Sequence, residues 1–129
     1  MDVSLSVLFV FLGGGFGSVL RFSIERGLSQ AFPTRFPFAT LTVNLIGSFL
    51  IGVLFVCLER FSLSTQYRLF LGTGLLGGFT TFSTFSLENA LLFRNASYQV
   101  AATNIVTSIL VGLSFVLLGI YLANLVLKK

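Results

Sequence analysis

A chain of 129 residues of which 55% are hydrophobic and only 9% charged lacks the surface of a soluble domain, where about 25% of residues carry charge. With no histidine and a single cysteine, Cys57, it excludes an internal disulfide, histidine metal sites, Cys-His nucleophiles and Ser-His-Asp triads. The formal net charge of +4 is carried almost entirely outside four nearly uncharged segments, 3–20, 38–58, 69–93 and 96–127, so the chain reads as a membrane protein and not as an enzyme.

Each segment has close to the roughly 20 residues that cross a bilayer as a helix. The expected fold is an all-α membrane protein, a single domain 1–129 with helices over 3–26, 38–58, 69–93 and 96–127, the third broken near 77–81. No basic residue precedes the first apolar run, so that run is expected to stay as a helix and not to be cleaved as a secretory signal.

The first helix carries Gly13-Gly14-Gly15-Phe16-Gly17-Ser18. Small residues four apart let helices approach closely, so packing is the reading of this stretch. Arg21 follows one turn later, where it either snorkels to the headgroups or lines a vestibule that concentrates anions. The connection that follows contains Pro33 and Pro37, which disfavour helix at the residues before them. Its arginines are read as headgroup contacts and not as a nucleic-acid site.

On the second helix Thr40, Asn44 and Ser48 stand four apart and share one face. An asparagine in the membrane needs a partner, either across a helix interface or in a pore. Three polar residues in line exceed what one packing contact requires.

The third segment contains Gly72-Thr73-Gly74-Leu75-Leu76-Gly77-Gly78-Phe79-Thr80-Thr81-Phe82-Ser83-Thr84-Phe85-Ser86. Its glycines match a dinucleotide fingerprint in letters only, because no βαβ unit surrounds them. Glycine and clustered hydroxyl residues oppose a continuous helix. A break at membrane depth is tolerated only inside protein or beside a water-filled cavity, since lipid offers its backbone no partner. Phe82 and Phe85, three apart, share a face of the half-helix beyond the break. Read from composition they are core residues, although two ring edges, which are electropositive, also suit a small anion. Glu88, the only acid in the segment, fits a structural or gating role better than anion binding.

On the fourth helix Asn104 and Ser108, with Gly112, form a second polar face expected to pair with that of the second helix. Four Lys and Arg (Arg60, Arg68, Lys128, Lys129) fall on one side of a four-helix plan and four (Arg21, Arg26, Arg35, Arg94) on the other. A balanced count gives insertion no preferred orientation, so the chain is expected to insert both ways and to pair with its own inverted copy, as inverted repeats do within larger transporters.

The run Gly77-Gly78-Phe79-Thr80-Thr81-Phe82-Ser83-Thr84-Phe85-Ser86 followed by Glu88, with Thr42-Val43-Asn44-Leu45-Ile46-Gly47-Ser48 and Gly13-Gly14-Gly15-x-Gly17-x-x-x-Arg21, closely resembles the Fluc fluoride channel family, also called CrcB. The resemblance covers the whole chain. It implies a passive fluoride channel of the bacterial inner membrane, built as an antiparallel dual-topology homodimer with two pores at the interface. It further implies a phenylalanine box at Phe82 and Phe85, a pore asparagine at Asn44, and a pore hydroxyl at Ser108. Thr40, Ser83, Thr84 and Glu88 are placed along the same pore. A structural Na+ on the two-fold axis is implied at the backbone carbonyls of Gly77 and Thr80. Many members have tyrosine where this chain has Asn104. The competing readings are a small dual-topology exporter of organic cations, which should carry an acid early in the chain, and a non-transporting assembly subunit.

Overall fold

The computed structural model describes residues 2–127, and they are helical almost throughout. Three helices among them are long and apolar enough to cross a membrane: α1 (Val3–Ala31), α2 (Phe38–Arg60) and, last in the chain, α6 (Tyr98–Val126). Between α2 and α6 runs an interrupted stretch. It consists of α3 (Thr65–Tyr67), a π-helical segment (Arg68–Leu76), α4 (Gly77–Phe79), the extended pair Thr80 and Thr81, and α5 (Phe82–Arg94). Lys128 and Lys129, counted in the charge balance above, lie outside the described residues.

Helix α1 begins at an Asp2 cap whose side chain accepts from the Ser4 N–H, and it ends five residues later than the expected 26. The apolar run stops at Leu20, but the helix does not. Glu25 and Arg26 are ordinary helix residues, and Arg21 and Glu25, four apart, approach to 3.8 Å. Termination waits for Phe32, the residue before Pro33, where helical backbone is sterically disfavoured. Arg21, Glu25 and Arg26 lie in the helix, as the expected span has them, and 27–31 are added to it. The first helix carries a carboxylate, Glu25, so the early acid expected of an exporter does not by itself separate the two readings.

Glycine sets the packing, as it must where lipid tails are as apolar as leucine and close van der Waals contact drives association. A Cβ placed on Gly52 of α2 would collide with the Val116 carbonyl, and one on Gly119 of α6 with the Phe49 carbonyl, so α2 and α6 cross backbone to backbone. Val43 and Val56 of α2 and Ala101 and Ala123 of α6 are buried. The small face of α1 meets the interrupted stretch in the same way: Gly13 lies against Phe70 and Gly74, Gly17 against Leu75, and Gly78 against Gly14. Bulky residues such as Phe11, Phe16, Leu113 and Leu117 cover the outside. At the chain's far end Arg60 donates to the Leu127 carbonyl, joining the last turns of α2 and α6.

Candidate functional site at the helix break

The break lies at Thr80 and Thr81, and its local chemistry can be followed bond by bond. Gly72 and Gly74 let the preceding turns widen, and the Gly77 N–H is shared between the carbonyls of Gly72 and Gly74. Wide turns of this kind concentrate at functional sites. Thr80 then closes the helix by sending both its N–H (3.0 Å) and its hydroxyl (2.9 Å) to the Leu76 carbonyl. Its methyl group fills the notch opposite Gly47 of α2, where any Cβ would strike it.

Asn44 takes over where the helix stops. Its Oδ1 accepts the Thr81 N–H at 2.8 Å and its Nδ2 donates to the Thr81 carbonyl at 3.0 Å. An N–H can only donate, so this pairing fixes the orientation of the amide. The sequence left Asn44 open between packing and pore; the geometry spends one donor and one lone pair on the break and leaves a second Nδ2 hydrogen. Thr81 in turn starts α5, its hydroxyl accepting the Thr84 N–H at 3.2 Å and lying 3.0 Å from Thr84 Oγ1 and 3.3 Å from Ser83 Oγ.

Two carbonyls lose their helical donors in this exchange. The Thr81 N–H would have served Gly77 and goes to Asn44; the Thr84 N–H would have served Thr80 and goes to the Thr81 hydroxyl. The Gly78 carbonyl, one of the two between them, is supplied from α1, where Arg21 Nε donates to it at 3.2 Å and the Ser18 hydroxyl approaches at 3.5 Å. Arg21 thus reaches the break, a third role beside the two weighed above. The signal was its spacing: Gly13, Gly17 and Arg21 follow one another at intervals of four on the packed face.

Phe82 and Phe85 stand at the start of α5 with ring centroids 5.7 Å apart and planes inclined by 39°. Phe82 is 79% exposed and Phe85 half-buried. Asn44, Ser48, Gly77, Thr80, Thr81 and Phe82 border one open cleft of about 390 Å³, so four of the predicted site residues, Asn44, Gly77, Thr80 and Phe82, meet there. The positive end of the α5 dipole points to the same place, which favours an anion there.

One turn beyond Phe85, Glu88 accepts from the Thr40 hydroxyl at 2.6 Å, and its other oxygen is buried without a partner. Glu88 also borders a second pocket, of about 320 Å³, with Arg35, Pro37 and Asn95. Asn104 and Ser108 depart from expectation. Asn104 does not join the polar face of α2; it is fully buried and donates from Nδ2 to Asn89 Oδ1 at 3.2 Å. Ser108 donates to Asn104 Oδ1 at 3.4 Å and reaches Phe85 only through this chain of amides. The two polar faces touch higher up, where Gly112 lies beside the Ser48 hydroxyl. Asn89 was missed by the sequence reading; a second asparagine in an apolar run, one turn after Phe85, was the available sign.

A family profile described as "CrcB-like protein, Camphor Resistance (CrcB)" matches residues 8–120. The chain belongs to the CrcB family. Among curated relatives, a protein of Parabacteroides distasonis is 42% identical over 120 residues, covering 93% of this chain and 94% of its own. One of Shewanella pealeana is 46% identical over 114 residues, covering 88% and 92%. Another, of Gloeothece citriformis, is 41% identical over 120 residues, covering 93% and 98%. All three are named "Fluoride-specific ion channel FluC". As a CrcB-family chain with three long apolar helices, this is a multi-pass membrane protein and not an enzyme, and the matched span includes every residue of the site from Arg21 to Ser108.

Proposed function

We propose that this chain forms a passive, fluoride-selective channel through which fluoride leaves the cytoplasm across a bacterial inner membrane. The observation that carries the reading is the Phe82–Phe85 pair at the head of α5, with Phe82 exposed, beside Asn44 and the capping hydroxyls, in a chain related over most of its length to proteins named as fluoride channels. The exporter alternative draws no support from those relatives.

Fluoride is small and strongly hydrated, so a pore has to replace its water with donors of its own. The spare Nδ2 hydrogen of Asn44, the hydroxyls of Ser83 and Thr84, and the ring edges of Phe82 and Phe85 are such donors, while the Ser108 hydroxyl is committed to Asn104. Thr40 holds one oxygen of Glu88, keeping that carboxyl group in a fixed place along this route. Reconstituted in liposomes, the protein should release fluoride and retain chloride. Phe82→Ile or Phe85→Ile should each lower fluoride efflux at least about tenfold, the cost of about 1.4 kcal/mol in the barrier, while the protein elutes as wild type on gel filtration. Equal fluoride and chloride rates, or wild-type rates in both variants, would defeat the reading.

In this proposal the interrupted stretch from Thr65 to Arg94 is a fourth membrane pass, the whole chain is one transmembrane domain, and a second, inverted copy covers the cleft that one copy leaves open. An exposed phenylalanine beside freed backbone groups is better matched to protein than to lipid. With Cys57→Ser and Gln66→Cys in place, an impermeant maleimide applied to spheroplasts should label about half of the copies, as balanced charge predicts. Complete labelling or none would mean a single fixed orientation.

The carbonyls of Gly77 and Thr80, which lose their helical donors at the break, suit a hard cation, and we assign them to a structural Na+ shared by the two copies. Bound there, the ion supplies a fixed positive charge and satisfies oxygens that lipid cannot. Exchange of sodium for N-methylglucamine should lower the thermal midpoint of the purified dimer, by the equivalent of about 2.7 kcal/mol if sodium had been present at about 100 times its Kd. An unchanged midpoint would remove the ion from the account.

A further inference from the structure

We propose that the Asn89–Asn104 amide pair positions Phe85, by anchoring the turn of α5 that carries it to α6. The inference rests on the reading of Phe85 as a pore residue.

Asn89 Nδ2 donates at 2.7 Å to the Phe85 carbonyl, the acceptor one turn back on its own helix. Side chains that bond back in this way perturb the local turn, and here the perturbed turn is the one whose first residue is Phe85. The same side chain presents Oδ1 to Asn104 Nδ2 at 3.2 Å. Asn104 is secured by the Ser108 hydroxyl at 3.4 Å. Both asparagines are buried, at 5% and 1% exposure, so neither has water as an alternative partner. Among the described residues this is the hydrogen bond that ties a side chain of α5 to one of α6.

Phe82 and Phe85 are therefore held by different means. Phe82 follows directly on Thr81, which Asn44 of α2 grips through two backbone bonds. Phe85 depends on the amide relay from α6. The spacing of the two rings is then a property of three helices, and a change on α6 that touches no ion should be felt at the box.

The test uses the full chain in liposomes, with Asn89→Leu, Asn104→Leu and the double variant. Each single change strands a buried amide, so both thermal stability and fluoride flux should fall, flux by about tenfold. In the double variant no amide is left unpaired and the midpoint should return close to wild type. Flux should stay depressed, because nothing then holds the Phe85 carbonyl to α6. Recovery of flux together with stability would overturn the proposal and leave a purely structural pair. If Phe85→Ile retains wild-type flux, the pore reading itself fails, and the two failures are told apart. Should the double variant not assemble, Asn89→Thr keeps a hydroxyl for the Phe85 carbonyl and drops the link to Asn104; it should fold and conduct poorly, and wild-type flux in it would equally overturn the proposal.

Discussion

Asn44→Leu should abolish fluoride flux, by about a hundredfold or more, and should lower the stability of the purified protein as well. The side chain satisfies both backbone groups of Thr81, and leucine offers neither a donor nor an acceptor. A buried polar group left without a partner costs about 1–3 kcal/mol, so two such groups put the variant about 2–6 kcal/mol below wild type. The extended conformation at Thr81 (φ −145°, ψ 117°) exists because a side chain replaces the helical bonds forgone there. Without it, the cap on α5 and the placement of Phe82 are lost together. Liposome efflux and a thermal melt of the same preparation measure the two effects. Retention of wild-type flux would show that the break holds itself open and that Asn44 is incidental to it.

Gly17→Leu should prevent accumulation of folded protein. A Cβ on Gly17 would run into the Leu75 carbonyl and come within 2.8 Å of the Phe79 amide nitrogen. Both are backbone atoms and cannot swing aside. Overpacking a tight core costs about 1–3 kcal/mol even where side chains can adjust, and the contact between α1 and the interrupted stretch leaves little to adjust. Gly27 lies on the same helix with open space around its Cβ position. Gly27→Ala should be tolerated or mildly stabilising, by up to about 1 kcal/mol, from better helix propensity alone. Gel-filtration profiles of the two variants in detergent compare them directly; equal behaviour would mean that the small face of α1 is not an interface.

Hydropathy was enough to place this chain in a membrane, and the absence of histidine to exclude histidine metal sites and triads, because both are properties of composition. The small face of α1 and the break after Phe79 were also legible, since glycine spacing and clustered hydroxyls act locally. The π-helical segment was not. A wide turn depends on how the glycines are used once α1 presses against Gly74, and the letters alone do not record that pressure. The extension of α1 to Ala31 was missed because charge ended the apolar run, whereas a helix ends for backbone reasons, here Pro33.

Phe82, Phe85 and Asn44 could be named from the sequence, the first two through a family motif whose ring edges composition would have assigned to the core. What they rest on could not. The grip of Asn44 on Thr81, the reach of Arg21 to Gly78, and the link from Asn104 to Asn89 in the relay from Ser108 to Phe85 join residues from 15 to 57 positions apart, the relay's first and last steps each lying within one helix turn. Spacing along one helix shows which residues share a face; it says nothing about which backbone group of another helix that face will meet. At the break, the sequence by itself determined that backbone groups would be freed from helical bonding. Only the tertiary structure decided who would satisfy them, because a freed N–H or C=O accepts any well-placed partner, and placement is a property of packed helices.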